Sequence, residues 1–432
     1  MTIHTAPRTA AEADALITLA EAELQRHVFP ALEATCHTTT ERVLQAMQTH
    51  RLGEEHFYSV TGYGHNDLGR DALDAIFADA LQAEAALVRP HIVSGTHALA
   101  VALRGNVSRG QTMLSVTGEP YDTLEEVIGL RGDSTQSLQA YGIHYQSLDV
   151  FKTPEGEALT EGIRLSFTSA EVRQIQQAQL LYIQRSRGYS TRPALTIDPL
   201  RQLIAALREH NPTAVVMVDN CYGEFIEPLE PTAVGANLMA GSLIKNAGGG
   251  IALTGGYVAG DASCVERAAE ALTCPGIGSH GGYMFNQTRT LLQGLYFAPM
   301  IVKEALKGMS LAAYLLETHY GMKVSPRWEE LPRADMIQTL WLGSPERQEA
   351  LCKLVQQCSP VHAYVTPVPS HAPGYESALI MAGGTFVDGS TVELSADGPI
   401  RPPYTLYLQG GLNYSHTRLM LKHLLLTFEG FL

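Results

Sequence analysis

Lys245 stands in the segment Ala240-Gly241-Ser242-Leu243-Ile244-Lys245-Asn246-Ala247-Gly248-Gly249-Gly250. The residues before it read as a short buried strand and those after it as a glycine-rich turn. A lysine at such a junction loses hydration. That lowers the pKa of its amine and frees it to form Schiff bases with carbonyl compounds, pyridoxal phosphate (PLP) among them. The segment is not a nucleotide P-loop: there is no GxxxxGK[ST], and the glycines mostly follow the lysine. An isolated strand-end lysine more often snorkels to solvent, so the neighbours decide. Asp219, 26 residues earlier, ends the apolar run AVVMV. A carboxylate there suits the pyridinium nitrogen of a PLP ring, which it keeps protonated and electron-withdrawing, and equally suits a helix cap. Ser94-Gly95-Thr96-His97 lies between a strand and a helix, where backbone N–H groups and small hydroxyls bind phosphate or simply cap the helix. Ser242 offers a second hydroxyl. Tyr121, in a loop after a strand, is placed either to stack on a cofactor or to pack against its surroundings.

The elements that must position these residues follow from composition and pattern. The chain has 432 residues, 45% hydrophobic and 17% charged, which excludes disorder and suits one large domain plus a smaller one. The net charge is −14, and no basic stripe is present, so no nucleic-acid partner is expected. Seven lysines stand against 23 arginines; six of the lysines sit near polar residues or in patterns that read as helix surfaces, and Lys245 does not. Six cysteines (Cys36, Cys221, Cys264, Cys274, Cys352, Cys358) show no C-x-x-C and no regular spacing. That argues against a disulfide framework or zinc site and for a reducing cytosol. The 16 histidines form no H-x-x-x-H on an evident helix, so no metal is expected. The N-terminal MTIHTAPRTAAEADAL has no signal-peptide pattern, and no apolar run reaches membrane-spanning length, so no membrane association is expected.

Helical spacing covers residues 9 to 50 and 70 to 83. Strands are predicted near 85–93, 112–116, 180–184, 215–218, 238–240 and 256–259, with helices between them, including 198–209 and one from 263. This alternation predicts an α/β fold with a mainly parallel sheet covered on both faces, and ligands at the carboxyl ends of its strands. A long helix over 286–320 follows. Beyond it, strand-like runs at 336–342, 361–365, 378–382 and 391–394, a helix at 345–358 and a final helix at 413–428 suggest a smaller C-terminal α+β domain. The expected division is an N-terminal helical segment over 1–60, a large domain over 61–320 and a small domain over 321–432.

Phosphate turn, aromatic, Asp and Lys occur in one order, and in that order the sequence resembles the fold-type I PLP enzymes of the cysteine/methionine-metabolism branch. It is most similar there to the aluminium-resistance or methionine γ-lyase-like family. The resemblance is carried by GYGHNDLGRD (62–71), RPHIVSGTHAL (89–99), TGEPYDTLEEVIG (117–129), QRSRGYSTRP (184–193), VDNCYGEF (218–225), AGSLIKNAGGGIALTGGY (240–257), LTCPGIG (272–278) and ELSADGPIRPPY (393–404). It implies a large PLP-transferase-like domain in which Lys245 holds pyridoxal 5'-phosphate as a Schiff base and Asp219 pairs with the ring nitrogen. Tyr121 would stack on the ring and take part in catalysis, while Ser94, Gly95, Thr96 and Ser242 would bind the phosphate. Tyr63 would reach a neighbouring subunit's phosphate in a homodimer or homotetramer. Arg401 would clamp the substrate carboxylate, or else be a surface arginine. Arg185 and Arg187 are placed to line the pocket, and Cys221 reads as a buried structural thiol. Two departures stand out: Ile244 replaces the usual Thr before the lysine, and D-N-T-Y has become Asp219-Asn220-Cys221-Tyr222.

The implied activity is PLP-dependent elimination of a thiol or similar group from the side chain of a sulfur-containing amino acid, of methionine γ-lyase or cystathionine β-lyase type. The products would be a 2-oxo acid and ammonia. The same scaffold also supports γ-replacement, aldol cleavage, racemisation or non-catalytic PLP binding.

Overall fold

The computed structural model describes residues 7–58, 60–62, 66–159, 162–372 and 374–427. A seven-stranded sheet is built from β1 (Ala85–Arg89), β2 (Thr112–Ser115), β3 (His144–Ser147), β4 (Leu180–Gln184), β5 (Val215–Asp219), β6 (Leu238–Ser242) and β7 (Gly256–Gly260), in the order β1-β7-β6-β5-β4-β2-β3. β3, β2, β4, β5 and β6 pair in parallel, and β7 runs antiparallel to both β1 and β6. The central strands are apolar throughout because both faces are covered.

Side chains alternate between two cores. Leu181, Ile183, Val216 and Val218 join a large cluster packed under the helices Ala10–His27, Phe29–Thr49, Leu68–Ala80, Ile197–His210 and Thr288–Tyr314. Leu180, Tyr182, Met217 and Ala240 point the other way, toward the helices Gly95–Asn106 and Ala262–Leu272. Each fully buried Leu, Ile or Val contributes about 1.5–3 kcal/mol by leaving water. The parity also fixes function: Asp219 follows Met217, and Ser242 follows Ala240, onto the face where the Gly95–Asn106 helix begins.

A second, wholly antiparallel sheet contains β8 (Val324–Ser325), β9 (Ile337–Trp341), β10 (Leu379–Ala382), β11 (Ser395–Pro399) and β12 (Thr405–Gln409), in the order β10-β11-β12-β9-β8. The fold is thus the α/β arrangement expected, with a C-terminal antiparallel sheet. Local expectations need correction. Residues 361–365 form a turn rather than a strand: Tyr364 is 86% exposed, and His362 takes a left-handed backbone conformation (φ 53°). The strand expected at 391–394 begins only at Ser395, and β12 went unread. The N-terminal helical run is two helices, divided at Val28 with Pro30 in the first turn of the second. Among the described residues no helix is long and apolar enough to cross a membrane.

Candidate active site

A cavity of about 210 Å³ lies between the carboxyl ends of the large sheet's parallel strands and one face of the small sheet. β6 delivers Lys245 three residues past its end. Asn246 locks that turn by donating from its side-chain nitrogen to the carbonyls of Tyr222 and Glu224, both at 3.0 Å. The Lys245 Nζ lies 3.7 Å from the Tyr222 ring centroid and opens on the cavity. Glycine is required beneath the turn: a Cβ at Gly241 would lie 2.5 Å from the Glu224 carboxylate and 2.7 Å from the Tyr257 hydroxyl.

The electrostatics correct one expectation. Desolvation, the largest single influence, does pull Lys245 toward neutrality. The facing acidic groups Tyr222, Cys221, Asp219 and Glu224 oppose it, and the net direction is upward. Burial pushes Glu224 up to about 8, while the Tyr257 hydroxyl donates to its Oε1 at 2.7 Å.

Asp219 is buried at the end of β5. Its Oδ1 accepts the Cys221 N–H at 3.0 Å and its Oδ2 accepts the Tyr182 hydroxyl at 3.2 Å. Burial nonetheless raises its pKa, a pressure that a cationic N–H donor would relieve. The next turn is fixed by Arg185, which is fully buried. It ion-pairs with Glu227 at 2.8 Å and donates to the Asn220 side chain and the Gly223 carbonyl, both at 2.9 Å.

Gly95 and Thr96 open the helix that points at this end of the sheet. The first N–H groups of a helix have no partner within it. A Cβ at Gly95 would sit 3.3 Å from the Cys221 Sγ and 3.4 Å from the Ser242 Cβ, so the glycine leaves a cradle between helix and strand ends. The Ser242 Oγ in that cradle is buried without a hydrogen-bond partner. An orphaned hydroxyl, a helix N-terminus and a buried Asp beside a lysine fit the phosphate, ring nitrogen and aldehyde of PLP.

Of the other predicted residues, Tyr121 lines the cavity and its hydroxyl shares a 2.7 Å hydrogen bond with that of Tyr375. Burial, chiefly, holds its pKa well above the usual phenol range, so the hydroxyl stays protonated. Ser94 is the N-cap, its Oγ accepting the His97 N–H at 3.0 Å, and it does not line the cavity. Arg401 is half-buried in the turn after β11. Burial raises the pKa values of Asp122 and Tyr407, and Arg401 opposes that at both, but its side chain is not in the cavity wall. Tyr63 lies outside the described residues. Arg185 and Arg187 do not line the pocket as expected. The extended backbone after β4 turns Ser186 and Gly188 toward it and the arginines away, and Arg187 instead reaches Ser325 and Thr339 of the small sheet, each at 3.0 Å. Cys221 is buried, and burial raises its thiol pKa well above the ordinary range, so it is an inert wall residue.

Several wall residues were given no role in the sequence reading. Tyr189 follows β4, Tyr375 precedes β10, and Asp397, Tyr407 and Gln409 belong to the small sheet. Asp397 stands directly opposite Tyr407 in register, and Gln409 lies two residues along on the same face. Alternation was the only available signal. Ala396, Leu406 and Leu408 are core, so their neighbours must face outward to the cavity.

Comparison with known proteins agrees with this geometry. Residues 14–428 match the methionine gamma-lyase family. The Bacillus subtilis protein YnbB is 45% identical over 378 residues, covering 87% of each chain. A carbon-sulfur lyase involved in aluminium resistance from Clostridium novyi is 41% identical, with a TM-score of 0.89 over 97% of this chain and 96% of that one. A Bacillus cereus structure is 43% identical, with a TM-score of 0.89 over 96% and 99%. The chain is therefore an enzyme of the carbon–sulfur lyase kind read from its residues, and it belongs to the methionine gamma-lyase family.

Proposed function

We propose that this protein uses PLP to eliminate a thiol from the side chain of a sulfur-containing amino acid, releasing a 2-oxo acid and ammonia. The observation that carries the reading is the convergence of the Lys245 amine, the buried Asp219 and the unpartnered Ser242 hydroxyl on one cavity. Bound there, PLP supplies an aldehyde for amines and a sink for the electron pair left when a substrate loses its α-proton.

The chain's own residues divide the remaining work. Gly95, Thr96 and Ser242 would hold the phosphate. Asp219 would pair with the ring nitrogen, kept in place by Tyr182 and the Cys221 N–H. That pairing would engage one of the acids that keep Lys245 protonated, easing its amine toward the reactive neutral form. Displaced by the substrate amine, the Lys245 Nζ is the base placed to take the proton from the substrate Cα. The protonated Tyr121 hydroxyl is a donor for the departing sulfur. With the carbon–sulfur bond broken and the resulting 2-imino acid hydrolysed, one water is consumed for each 2-oxo acid and ammonia formed.

The same reading carries a homo-oligomer, in which the exposed Val93, Leu253, Ile277, Tyr283 and Phe285 would be covered by a second copy. Six free thiols suit a reducing cytosol. The test is product analysis with a panel of thioether and thiol amino acids. Release of 2-oxo acid and thiol supports elimination. Exchange of the side chain, an aldehyde product or a D-amino acid would instead mean replacement, aldol cleavage or racemisation.

A further inference from the structure

We infer that the small-sheet wall of the cavity recognises a positively charged substrate side chain, with Asp397 as its countercharge and Tyr189, Tyr375 and Tyr407 as its aromatic surround. This deepens the proposed function and rests on its claim that amino acids bind in this cavity.

The geometry comes from sheet register. Asp397 on β11 faces Tyr407 on β12 across the ladder, and Gln409 donates from Nε2 to the Asp397 Oδ2 at 3.3 Å. The rings close around the same volume: centroid separations are 5.3 Å for Tyr189–Tyr407, 5.9 Å for Tyr189–Tyr375 and 5.8 Å for Tyr121–Tyr189. A cation is attracted to aromatic faces, most strongly where water is excluded. The site already shows the preference, since the Lys245 ammonium rests on the Tyr222 ring. Lys245 is the only lysine or arginine lining the cavity among the described residues, and Asp397 forms no ion pair there. Burial pushes Asp397 up to about 7, while hydrogen bonds from Tyr189 and Gln409 and the charge of Lys245 pull it back. A cation brought by the substrate would add to the pull of Lys245 and favour the ionised carboxylate, whereas a neutral side chain would add nothing to it.

The charge could be an ammonium or a sulfonium, and matched pairs separate them. Binding to the PLP-loaded full chain is measured by calorimetry for L-lysine against L-norleucine, and for S-methyl-L-methionine against L-methionine. We expect the cationic member of at least one pair to bind about tenfold tighter, and the pair that shows it names the source. The preference should fall to near unity in Asp397→Asn and at least about threefold in Tyr375→Leu, a change in a surface loop that spares the sheet. Equal affinities within both pairs, or a preference unchanged in either variant, would overturn the inference. Charge preference with no 2-oxo acid from any thioether or sulfonium amino acid would uphold it and sink the lyase reading. Thioether turnover without charge preference would do the reverse.

Discussion

The cavity has two walls built by different kinds of backbone. The large-sheet wall comes from the carboxyl ends of parallel strands, where β5 ends on Asp219, β6 ends on Ser242 and the turn after β6 carries Lys245. The small-sheet wall comes from the flat face of an antiparallel ladder, where every second residue of β11 and β12 looks outward. The first wall is chemically committed: a lysine, a buried acid, an orphaned hydroxyl and a helix N-terminus. The second presents Asp397, Tyr407 and Gln409, with Tyr189 and Tyr375 beside them. The contrast teaches that the two walls are held differently, one by strand ends and turns and the other by register.

Substitutions on the first wall should therefore abolish chemistry whatever the substrate. Lys245→Ala is expected to lower 2-oxo acid release by roughly 10⁴-fold; a variant retaining a tenth of wild-type turnover would break the division. Asp219→Asn keeps the shape but removes the charge, and should cost about 100-fold in kcat with little change in KM. Beneath that wall, Arg185→Met would strand Glu227 in the interior and is expected to cost about 3–5 kcal/mol in a denaturant titration. A loss below about 1 kcal/mol would mean that the Asp219–Asn220 turn does not depend on this buried pair. Tyr121→Phe spares the ring and should slow turnover by no more than about tenfold, sharpening whether its hydroxyl or its face matters.

A separate expectation is a pH dependence. Glu224 has a native pKa of about 8 because burial disfavours its charge, above the ordinary value of about 4.3 for an unfolded chain. Between those values the native state holds a proton that the unfolded state has lost. Stability therefore falls as pH rises through that window and levels off above about 8. Glu224→Gln, which keeps the Tyr257 contact, should flatten that slope in thermal melts taken from pH 5 to 9. Parallel slopes for the two proteins would place Glu224 outside the linkage.

How far the sequence could be read follows the same division. Lys245, Asp219, Gly95, Thr96, Ser242 and Tyr121 sit at junctions between apolar runs and turns, so local pattern exposes them, and all six line the cavity. Ser94 belongs to the same turn, but its hydroxyl is spent on the His97 N–H. Asp397, Tyr407 and Gln409 were given no role because their meaning depends on strand pairing, although Pro402-Pro403 and Gly410-Gly411 frame the alternating run that is β12. Arg401 came from the resemblance, as a loop guanidinium suited to a carboxylate, whereas Asp397 and Tyr407 are the residues of that region that line the cavity. The direction of the Lys245 shift depends on four acidic groups brought together from outside its own segment, a sum that burial alone does not foretell.

The most direct test of the central claim is chemical. The protein, saturated with PLP and reduced with borohydride, is digested with trypsin and the seven lysine sites are weighed by mass spectrometry. The account predicts a stoichiometric pyridoxyl group on the peptide containing Lys245. An unmodified Lys245 peptide, or the label on another lysine, would contradict it.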